Sequence, residues 1–372
     1  MRFQALVSTR IGHFAGNTEI YLCKRDANIN IPVQKYIDIF YITEPVSNKQ
    51  LALMWKRVLH IWPSWIVAPI IRVNRLVPNG GCHEVGQNIQ TALDVHNLLN
   101  RFPSHLNFTS DEETRGNAVL QEMGLPIDAQ FVCLHVRDSA YLSSHIPDND
   151  WSYHNYRDSD IQNYVLAAEA LAECGYFVIR MGAKVNASIN STNPKIIDYA
   201  TNGMRSDFMD IYLGGKCSFC ITTGSGWDSI PEIFRRPIVY VNMVPLGCLH
   251  TSGSKFLSIT KQHVWNSSRK ALTLSEIFSN GVGFCMDAQH FQLQGVELIE
   301  NTSEEIRDVA MEMAERIDGA WNPHADDESL QQRFWELYPT NALDSYSGNQ
   351  LHGEIRARFG AIFLRNNLEW LQ

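Results

Sequence analysis

The sequence predicts an α/β fold built of two domains. Short apolar runs alternate with longer amphipathic stretches along the chain, and this alternation is typical of strands and helices that form a parallel sheet. The chain has 372 residues, about the length of two domains of roughly 150 residues each. With 45% hydrophobic and 19% charged residues, it is typical of a globular protein and unlike a disordered or collagen-like chain.

The first 125 residues predict two strands and three helices. In chain order they are a strand at 3–8, a turn at Gly12 with a helix through 19–24, a strand at 36–42, a helix at 48–59 and a helix from 110. The last helix starts with the capping-box pattern Ser110-Asp-Glu-Glu113 and ends near Gly124. Leu125-Pro126 then breaks the chain, because proline cannot continue a helix. We place a domain boundary there.

The residues after 125 continue the same alternation. The predicted strands are 131–136, 176–181, 217–223 and 238–242, and the predicted helices are 159–174, 206–213, 227–234, 303–317 and 350–371. Ser159 and Ser206 are suitable helix caps, and Gly175 ends a helix. We therefore predict domains at 1–125 and 126–345, with 346–372 as a closing helix that packs back on the first domain.

Charge and cysteine content exclude several classes of protein. The net charge is −9, with +1 on residues 1–130 and −10 on the rest, so neither part has the basic excess of a nucleic-acid-binding protein. The eight cysteines are scattered, as expected for free thiols in a reducing compartment. The longest apolar runs, such as 66–71, fall short of the roughly 18 residues that span a bilayer. We expect no signal peptide at the start and a cytoplasmic location.

The clearest candidate for chemistry is His135-Val-Arg137-Asp138, directly after an apolar strand. Alternation along a strand places His135 and Arg137 on the same side. The guanidinium offers a rigid fork of donors that suits phosphate oxygens. We interpret Arg137 as an anion-binding residue; the alternative is an ion pair with a carboxylate such as Asp138 or Asp160.

A second candidate is the segment Thr222-Thr-Gly-Ser-Gly-Trp-Asp228, where a strand turns into a helix. Glycines allow a ligand to approach the backbone, and a helix N-terminus offers free N–H groups. This is a suitable cradle for a diphosphate, and ordinary helix capping is the alternative. The dinucleotide fingerprint, the Walker pattern and the hydrolase elbow each lack required glycines here.

Two loops add polar groups. Residues 151–160 form a long polar and aromatic connection after the His135 strand, and its candidates are Tyr153, His154, Arg157 and Asp160. The turn after the first strand offers Gly12, His13, Asn17 and Glu19. His13 or Glu19 could remove a proton from a hydroxyl group. A solvated loop and a plain helix cap are the respective alternatives.

Residues 51–79 contain three tryptophans and four basic residues but no acidic residue. This composition suits a membrane interface or a lipid-linked acceptor, and a core helix with solvated cations is the alternative. Metal ligation is weakly indicated. Cys217 and Cys220 would point to opposite faces of a strand, and the pairs Asp148/Asp150 and Asp158/Asp160 suit helix starts. We expect no metal.

Several of these segments together resemble a family of bacterial glycosyltransferases found with surface-polysaccharide genes. The resemblance lies in 11–19, 135–138, 153–161 and 175–182, and it covers nearly the whole chain. More distantly, His135-Val-Arg137 is similar to the His-x-Arg element of GT-B fucosyltransferases and O-fucosyltransferases. There the arginine neutralises the donor's β-phosphate and a later Ser/Thr-rich turn holds phosphate. Asp138 and Ala140 depart from the longer form of that element, so GDP- and UDP-sugars both stay open.

The resemblance implies a GT-B fold, in which two Rossmann-like domains face a cleft. It implies a glycosyltransferase that moves a sugar from a nucleotide-diphosphate sugar to a glycan, lipid-linked or protein acceptor in bacterial surface polysaccharide or glycoconjugate synthesis, without a metal and with inversion. No cofactor and no nucleic acid are expected. The enzyme is expected in the cytoplasm, with peripheral contact to the inner membrane through 51–79. The alternatives are a GT-B-type nucleotide-sugar epimerase or hydrolase, and a non-catalytic glycan- or nucleotide-binding module.

The expected site residues fall into three groups. The catalytic candidates are Arg137, His135, Glu19 and His13. The donor-binding candidates are Asp138, Arg157, Asp160, Gly182, Asp207, Thr223, Gly224, Ser225 and Gly226. The acceptor-binding candidates are Gly12, Asn17, Tyr153 and His154.

Overall fold

The computed structural model describes residues 1–89, 92–141, 150–343 and 348–372. The strands are β1 (Arg2–Leu6), β2 (Asp38–Ile42), β3 (Phe131–His135), β4 (Phe177–Arg180), β5 (Ile196–Ile197), β6 (Phe219–Thr222), β7 (Ile238–Tyr240), β8 (Phe256–Ser258), β9 (Gln262–Trp265), β10 (Val296–Ile299) and β11 (Arg358–Phe359). The α-helices are α1 (Ile11–Asp26), α2 (Lys49–Lys56), α3 (Ser64–Asn74), α4 (Leu98–Arg101), α5 (Ser110–Glu122), α6 (Val165–Glu173), α7 (Asp207–Lys216), α8 (Ser229–Ile233), α9 (Leu274–Ser279), α10 (Ala288–Leu293), α11 (Ser303–Asp318), α12 (Asp327–Leu337) and α13 (Ala361–Asn366).

Contacts divide the chain into two compact units. The first unit combines Met1–Val119 with Ser206–Lys216 and Ser225–Arg236. The second unit combines Leu120–Arg205, Cys217–Gly224 and Pro237–Gln372. The helices α7 and α8 thus group with the N-terminal residues, and the C-terminal segment groups with the second unit.

The first unit contains the small parallel pair β1 and β2. Arg2 Nε and Nη2 each donate to a different carboxylate oxygen of Asp38 at 2.7 Å, so a buried bidentate ion pair joins the two strands. Phe3 of β1 and Ile39 of β2 pack against Val67 and Ile71 of α3. Burial of these side chains holds α3 against the strands.

The second unit contains a parallel sheet of seven strands among the described residues. Its order is β11-β8-β7-β6-β3-β4-β5, and each neighbouring pair is parallel. From β3 the chain moves outward through β4 to β5, and then returns to β6 beside β3 and continues outward through β7 to β8. The strand order therefore reverses between β3 and β6, as in a doubly wound Rossmann sheet. This confirms the predicted α/β class with a large parallel sheet.

Helix caps explain several element boundaries. Helix α11 begins after a capping box formed by Thr302 and Glu305 and ends at Gly319, which has a φ of 71°. Its buried residues include Ile306, Val309 and Met313, so the apolar stripe follows the helical period. No helix in the described part of the chain combines the length and the apolar character needed to cross a bilayer.

Some predicted boundaries are wrong by a residue or two. The capping box of α5 is formed by Thr109 and Glu112, because the Glu112 amide donates to Thr109 Oγ1 at 3.3 Å and the Thr109 amide donates back to Glu112 Oε2 at 2.9 Å. Asp160 rather than Ser159 caps the turn before α6, since its carboxylate accepts from the Gln162 amide at 2.9 Å. In each case two neighbouring polar residues fit the sequence pattern, and only one of them caps the helix.

Two other predictions differ more. Gly12 lies within the first turn of α1 rather than in a turn before it. The predicted helix at 350–371 is wrong: this segment holds β11, which pairs with β8, followed by α13 and a short 3-10 helix at Leu368–Leu371. The edge of the parallel sheet offers Arg358 and Phe359 backbone partners in β8, and such long-range pairing overrides the local pattern.

Candidate functional site

The candidate site lies in the second unit, where the strand order reverses. His135, the last residue of β3, is the register partner of Thr222, the last residue of β6. Just beyond them, the Arg137 amide donates to Thr223 Oγ1 at 3.0 Å, and the Gly224 amide donates to Thr222 Oγ1 at 3.3 Å. Ligands of open α/β sheets bind at this kind of reversal, beyond the carboxyl ends of the strands. The structure thus brings together the two segments that the sequence singled out separately.

The turn after β6 requires a glycine at position 224. Gly224 has a φ of +74°, and a Cβ there would lie 2.8 Å from Met243 Sδ. Arg157 approaches the same residue, because its Nη2 donates to the Gly224 carbonyl oxygen. The turn after β6 is therefore fixed both by backbone conformation and by a guanidinium.

The Arg137 side chain lies in an ion pair with Asp158. Its Nη1 donates to an Asp158 carboxylate oxygen and, at 3.1 Å, to the His154 carbonyl oxygen, while only 11% of the side chain is exposed. Burial lowers the pKa of Arg137, and the charge of Asp158 opposes that shift. Burial raises the pKa of Asp158, and the charge of Arg137 opposes it. The ion-pair alternative is therefore present, with Asp158 as the carboxylate.

The loop at 151–160 is attached to the site at several points. The Tyr153 and His154 rings lie 4.0 Å apart between centroids. The Ser159 amide donates to the Arg137 carbonyl oxygen at 3.0 Å, and the Asp160 amide donates to the Glu300 carboxylate at 3.1 Å. These hydrogen bonds hold the loop at 151–160 against the carboxyl edge of the sheet.

A cavity of about 490 Å³ opens at this edge. That volume is in the range of small-ligand pockets, which is about 300–1,000 Å³. The charged side chains that line it are two cations and four carboxylates: Arg180, Lys261, Asp138, Asp158, Asp160 and Glu300.

Two buried cations of this cavity were missed at the sequence level. Arg180, the last residue of β4, is 1% exposed, and its Nε has no hydrogen-bond partner among the described residues. Lys261 is 4% exposed, and its Nζ donates to the Asp158 carbonyl oxygen at 2.6 Å. Burial lowers the pKa of Lys261. A basic residue at the end of a predicted strand was the signal that could have found Arg180, as it found Arg137.

His135 is partly buried, and the charge of Arg180 acts on its imidazole. Burial and the charge of Arg180 lower the pKa of His135 to about 4. The imidazole is consequently neutral near pH 7, which suits a positioning role rather than that of a cationic phosphate ligand.

Two other donor candidates of the second unit have backbone roles. Asp138 accepts from the Ala140 amide at 2.9 Å and from the Asn186 amide at 2.8 Å, so both carboxylate oxygens are engaged. Gly182 follows β4, and a Cβ there would lie 2.5 Å from Val185 Cγ1. Asp138 and Asn186 both line the cavity.

The remaining donor candidates belong to the first unit. Asp207 accepts from the Lys49 amide at 2.8 Å, so it binds the start of α2. Ser225 and Asp228 form a capping box before α8. Gly226 packs against Gly12, since a Cβ on Gly12 would lie 2.9 Å from the Gly226 Cα. Close backbone packing thus explains Gly12, whereas a Cβ on Gly226 would come no closer than 3.4 Å to its neighbours.

The two candidate bases of α1 have opposite environments. His13 is exposed, and its Nδ1 lies 3.3 Å from Asn17 Oδ1. Asn17 is itself buried, and its amide donates to the Ile89 carbonyl oxygen at 3.1 Å. Glu19 is fully buried and lies 2.5 Å from Arg235 Nη2 and 3.1 Å from His105 Nδ1. Its contacts favour a structural role, whereas His13 faces solvent.

Glu19, Cys23 and His105 are grouped closely enough to suggest a metal, with one ligand atom each within 4.8 Å of the others. Three features of the cluster argue against this. The Arg235 guanidinium already donates to Glu19 Oε1, and it lies 3.6 Å from Cys23 Sγ. Burial raises the pKa of Cys23 to about 12, so its thiolate forms less readily than that of an exposed cysteine. A cation would therefore meet a guanidinium and a thiol that gives up its proton reluctantly.

No family model matches the chain, and no curated protein matches it. Among solved structures it is similar to ADP-heptose LPS heptosyltransferase II of E. coli, at 14% identity and a TM-score of 0.43, covering 70% of this chain and 90% of that chain. It is also similar to a glycosyl transferase family 9 protein from Veillonella parvula, at 10% identity and a TM-score of 0.38, covering 64% and 79%. The S. aureus MnaA–UDP co-structure matches at 9% identity and a TM-score of 0.30, covering 100% and 96%. Because these identities and TM-scores are low, the similarities carry no argument about function. The function proposed for this chain is argued from its own side chains.

Proposed function

We propose that the chain is a glycosyltransferase that uses a nucleotide-diphosphate sugar. The observation that carries the proposal is the reversal of strand order between β3 and β6, with Arg137 and the Thr222–Gly224 turn joined directly beyond it. In this proposal the second unit binds the donor and the first unit carries the acceptor, as in the GT-B arrangement.

In this proposal, buried cations stabilise the negative charge that develops during the reaction. Breaking the sugar–phosphate bond leaves negative charge on the departing diphosphate, and preorganised positive groups stabilise that charge most in a dry site. Arg180 and Lys261 line the cavity. In this proposal Arg180 Nε, which has no hydrogen-bond partner among the described residues, donates to a phosphate oxygen. Arg137 would exchange its contact with Asp158 for the diphosphate. These three cations allow the transfer to proceed without a metal.

His13 is the better of the two candidate bases. It is exposed on the first turn of α1, whereas Glu19 is buried against Arg235 and His105. We propose that His13 removes the acceptor's hydroxyl proton and that the reaction inverts at the anomeric carbon. In that case His13→Gln should lower kcat at least a hundredfold while leaving donor binding unchanged, since general-base catalysis typically contributes 10²–10⁴-fold.

Ligand binding tests the donor site first. A nucleotide at about one hundred times its dissociation constant should add about 2.7 kcal/mol to the unfolding free energy. We expect such stabilisation from GDP, UDP or ADP, or from one of their sugars, and its loss in Arg180→Gln. Arg307→Ala is the matched control, because Arg307 lies on α11 and pairs with the adjacent Asp308. A wild-type chain that none of these nucleotides stabilises would refute the proposal.

Product analysis then separates transfer from its alternatives. With donor and acceptor both present, a transferase forms a glycosylated acceptor, and EDTA leaves the rate unchanged. Conversion of the nucleotide sugar without acceptor would indicate an epimerase or hydrolase. Donor binding without turnover across glycan, lipid-linked and protein acceptors would indicate a binding module.

A further inference from the structure

Helix α3 and the residues beside it expose an unusual number of large apolar side chains. The outer face of α3, as we define it, is the set of six side chains with the following exposed fractions: Trp62 46%, Trp65 76%, Ile70 38%, Val73 61%, Leu76 84% and Val77 53%. Trp65, Ile70 and Val73 lie within α3 and fall inside an arc of about 140° around the helix axis, and Trp62, Leu76 and Val77 flank its two ends. Isolated exposed apolar residues are common, but a contiguous patch of this kind marks an interaction surface.

The opposite side of α3 is also apolar and is already used. Val67 is fully buried and Ile71 is 7% exposed, and both pack against Phe3 and Ile39 of the strands. The helix is therefore apolar on both sides. A helix at the surface of a soluble domain normally has a polar outer side, so the outer face of α3 needs a partner outside its own unit.

The charges around this face identify the partner's chemistry. Arg72 is exposed on α3, and Arg75 follows the helix, where its side chain is 67% exposed and contacts Glu84 at 3.2 Å. No acidic residue occurs between 51 and 79. Apolar side chains with tryptophans and a basic rim match the headgroup region of an anionic bilayer.

We propose that the outer face of α3 docks the protein on an anionic membrane surface. The helix has 11 residues and is about 16 Å long, so it lies in the plane of the interface rather than crossing it. The tryptophans and aliphatic side chains enter the headgroup boundary, and the arginines contact lipid phosphates. This inference does not depend on the proposed transfer reaction, because membrane docking requires no donor.

Vesicle sedimentation with the whole 372-residue chain tests the docking. The probes are phosphatidylcholine vesicles with and without 30% phosphatidylglycerol. We expect binding to the anionic vesicles, weaker binding to the neutral ones, and loss of at least tenfold in affinity for the triple variant Trp65→Gln/Val73→Gln/Leu76→Gln. Arg72→Gln should weaken binding to anionic vesicles about fivefold, since one basic residue near a charged surface contributes about that factor.

The matched control is Ile127→Gln/Leu293→Gln, whose parent side chains are 75% and 86% exposed elsewhere in the chain. It should bind as the wild type does. All the substituted side chains of α3 are exposed, so far-UV circular dichroism and the Tm should not change. Absence of wild-type binding to anionic vesicles, or equal binding by the triple variant, would overturn the proposal. So would a wild-type dimer that the triple variant converts to a monomer, because the face would then join two copies.

Discussion

At the scale of single residues, three cations of the candidate site each contact an aspartate. Arg137 meets Asp158, and Lys261 donates to the backbone of that same aspartate. Arg180 contacts Asp198 at 3.3 Å through Nη1 while its Nε stays unpartnered among the described residues. The Arg137 guanidinium is thus paired with a carboxylate, whereas Arg180, which lines the cavity, retains a free Nε donor among the described residues. An incoming diphosphate would compete with Asp158 at Arg137 and meet less competition at Arg180.

The Arg137–Asp158 pair should contribute to stability as well as to binding. Arg137→Ala leaves Asp158 partly buried without its cation, and breaking such a pair typically costs about 3 kcal/mol. The double variant Arg137→Ala/Asp158→Asn should recover part of that loss. Urea unfolding of the two variants and the wild type measures both values. If Arg137→Ala unfolds at the wild-type urea midpoint, the pair is energetically neutral.

His105 should make the first unit sensitive to alkaline pH. Its Nδ1 faces Glu19 Oε1 at 3.1 Å and its Nε2 faces Asp26 Oδ2 at 2.9 Å, so both ring nitrogens must donate. Burial alone would lower the pKa of His105, but the hydrogen bonds and charges of both carboxylates raise it above its usual 6.5.

The sign of the pH effect follows from that shift. Because the folded-state pKa is raised, the stabilisation by His105 is complete below the unfolded-state pKa of about 6.5 and is lost as the pH rises through the folded-state value. Arg235 also faces Glu19, and the buried Cys23 thiol is adjacent. We expect the stability difference between wild type and His105→Gln to shrink from pH 6 to pH 9 in urea unfolding. A difference that stays constant over this range would show that His105 is not a protonated bridge.

At the scale of elements, close backbone packing explains Gly12, which the sequence suggested as a ligand-binding residue. Gly12 in α1 and Gly226 before α8 pack so closely that a Cβ on Gly12 would lie 2.9 Å from Gly226 Cα and 3.0 Å from its carbonyl oxygen. Both residues belong to the first unit. Only glycine allows the start of α1 to approach the turn at this distance.

Gly12→Ala should therefore destabilise the protein by about 1–3 kcal/mol, as expected for overpacking against backbone atoms. Gly81→Ala is the matched control, because a Cβ on Gly81 would meet nothing within 4 Å. Thermal unfolding of both variants makes the comparison. A Tm equal to that of the control would mean that α1 moves to make room for the Cβ without loss of stability.

The start of α5 shows what a local sequence pattern can predict and what it cannot. Thr109-x-x-Glu112 and Ser110-x-x-Glu113 both fit the capping box, and only the former caps α5. Glu113 instead pairs with Lys216 at 2.5 Å and accepts from the Tyr212 hydroxyl at 3.2 Å. Both partners lie on α7, about a hundred residues later, so tertiary packing decided which glutamate was left for capping.

At the scale of the whole molecule, net charge and sheet topology lead to different expectations about the ligand. Residues 131–372 carry a net charge of −10, and the cavity is lined by four carboxylates and two cations. From net charge alone, the anionic donor proposed above would not be expected to bind here. The structure places two buried cations, Arg180 and Lys261, among those carboxylates, and at such short range a buried cation acts on a ligand more strongly than screened charges elsewhere on the surface.

The sequence by itself determined the α/β class and predicted six of the eleven described strands and seven of the thirteen described α-helices, because periodicity, caps and turns act within a few residues. It also proposed Arg137, Thr223 and Gly224 as site candidates. Only the tertiary structure decided that Asp158 neutralises Arg137, that Arg180 and Lys261 line the cavity, and that α7 and α8 group with the N-terminal residues. It also decided which face of α3 is left exposed. The physical reason is distance along the chain: Arg137 meets Thr223 across 86 positions and Lys261 meets Asp158 across 103. Sheet order and ion pairing join such residues, and no local pattern encodes their meeting.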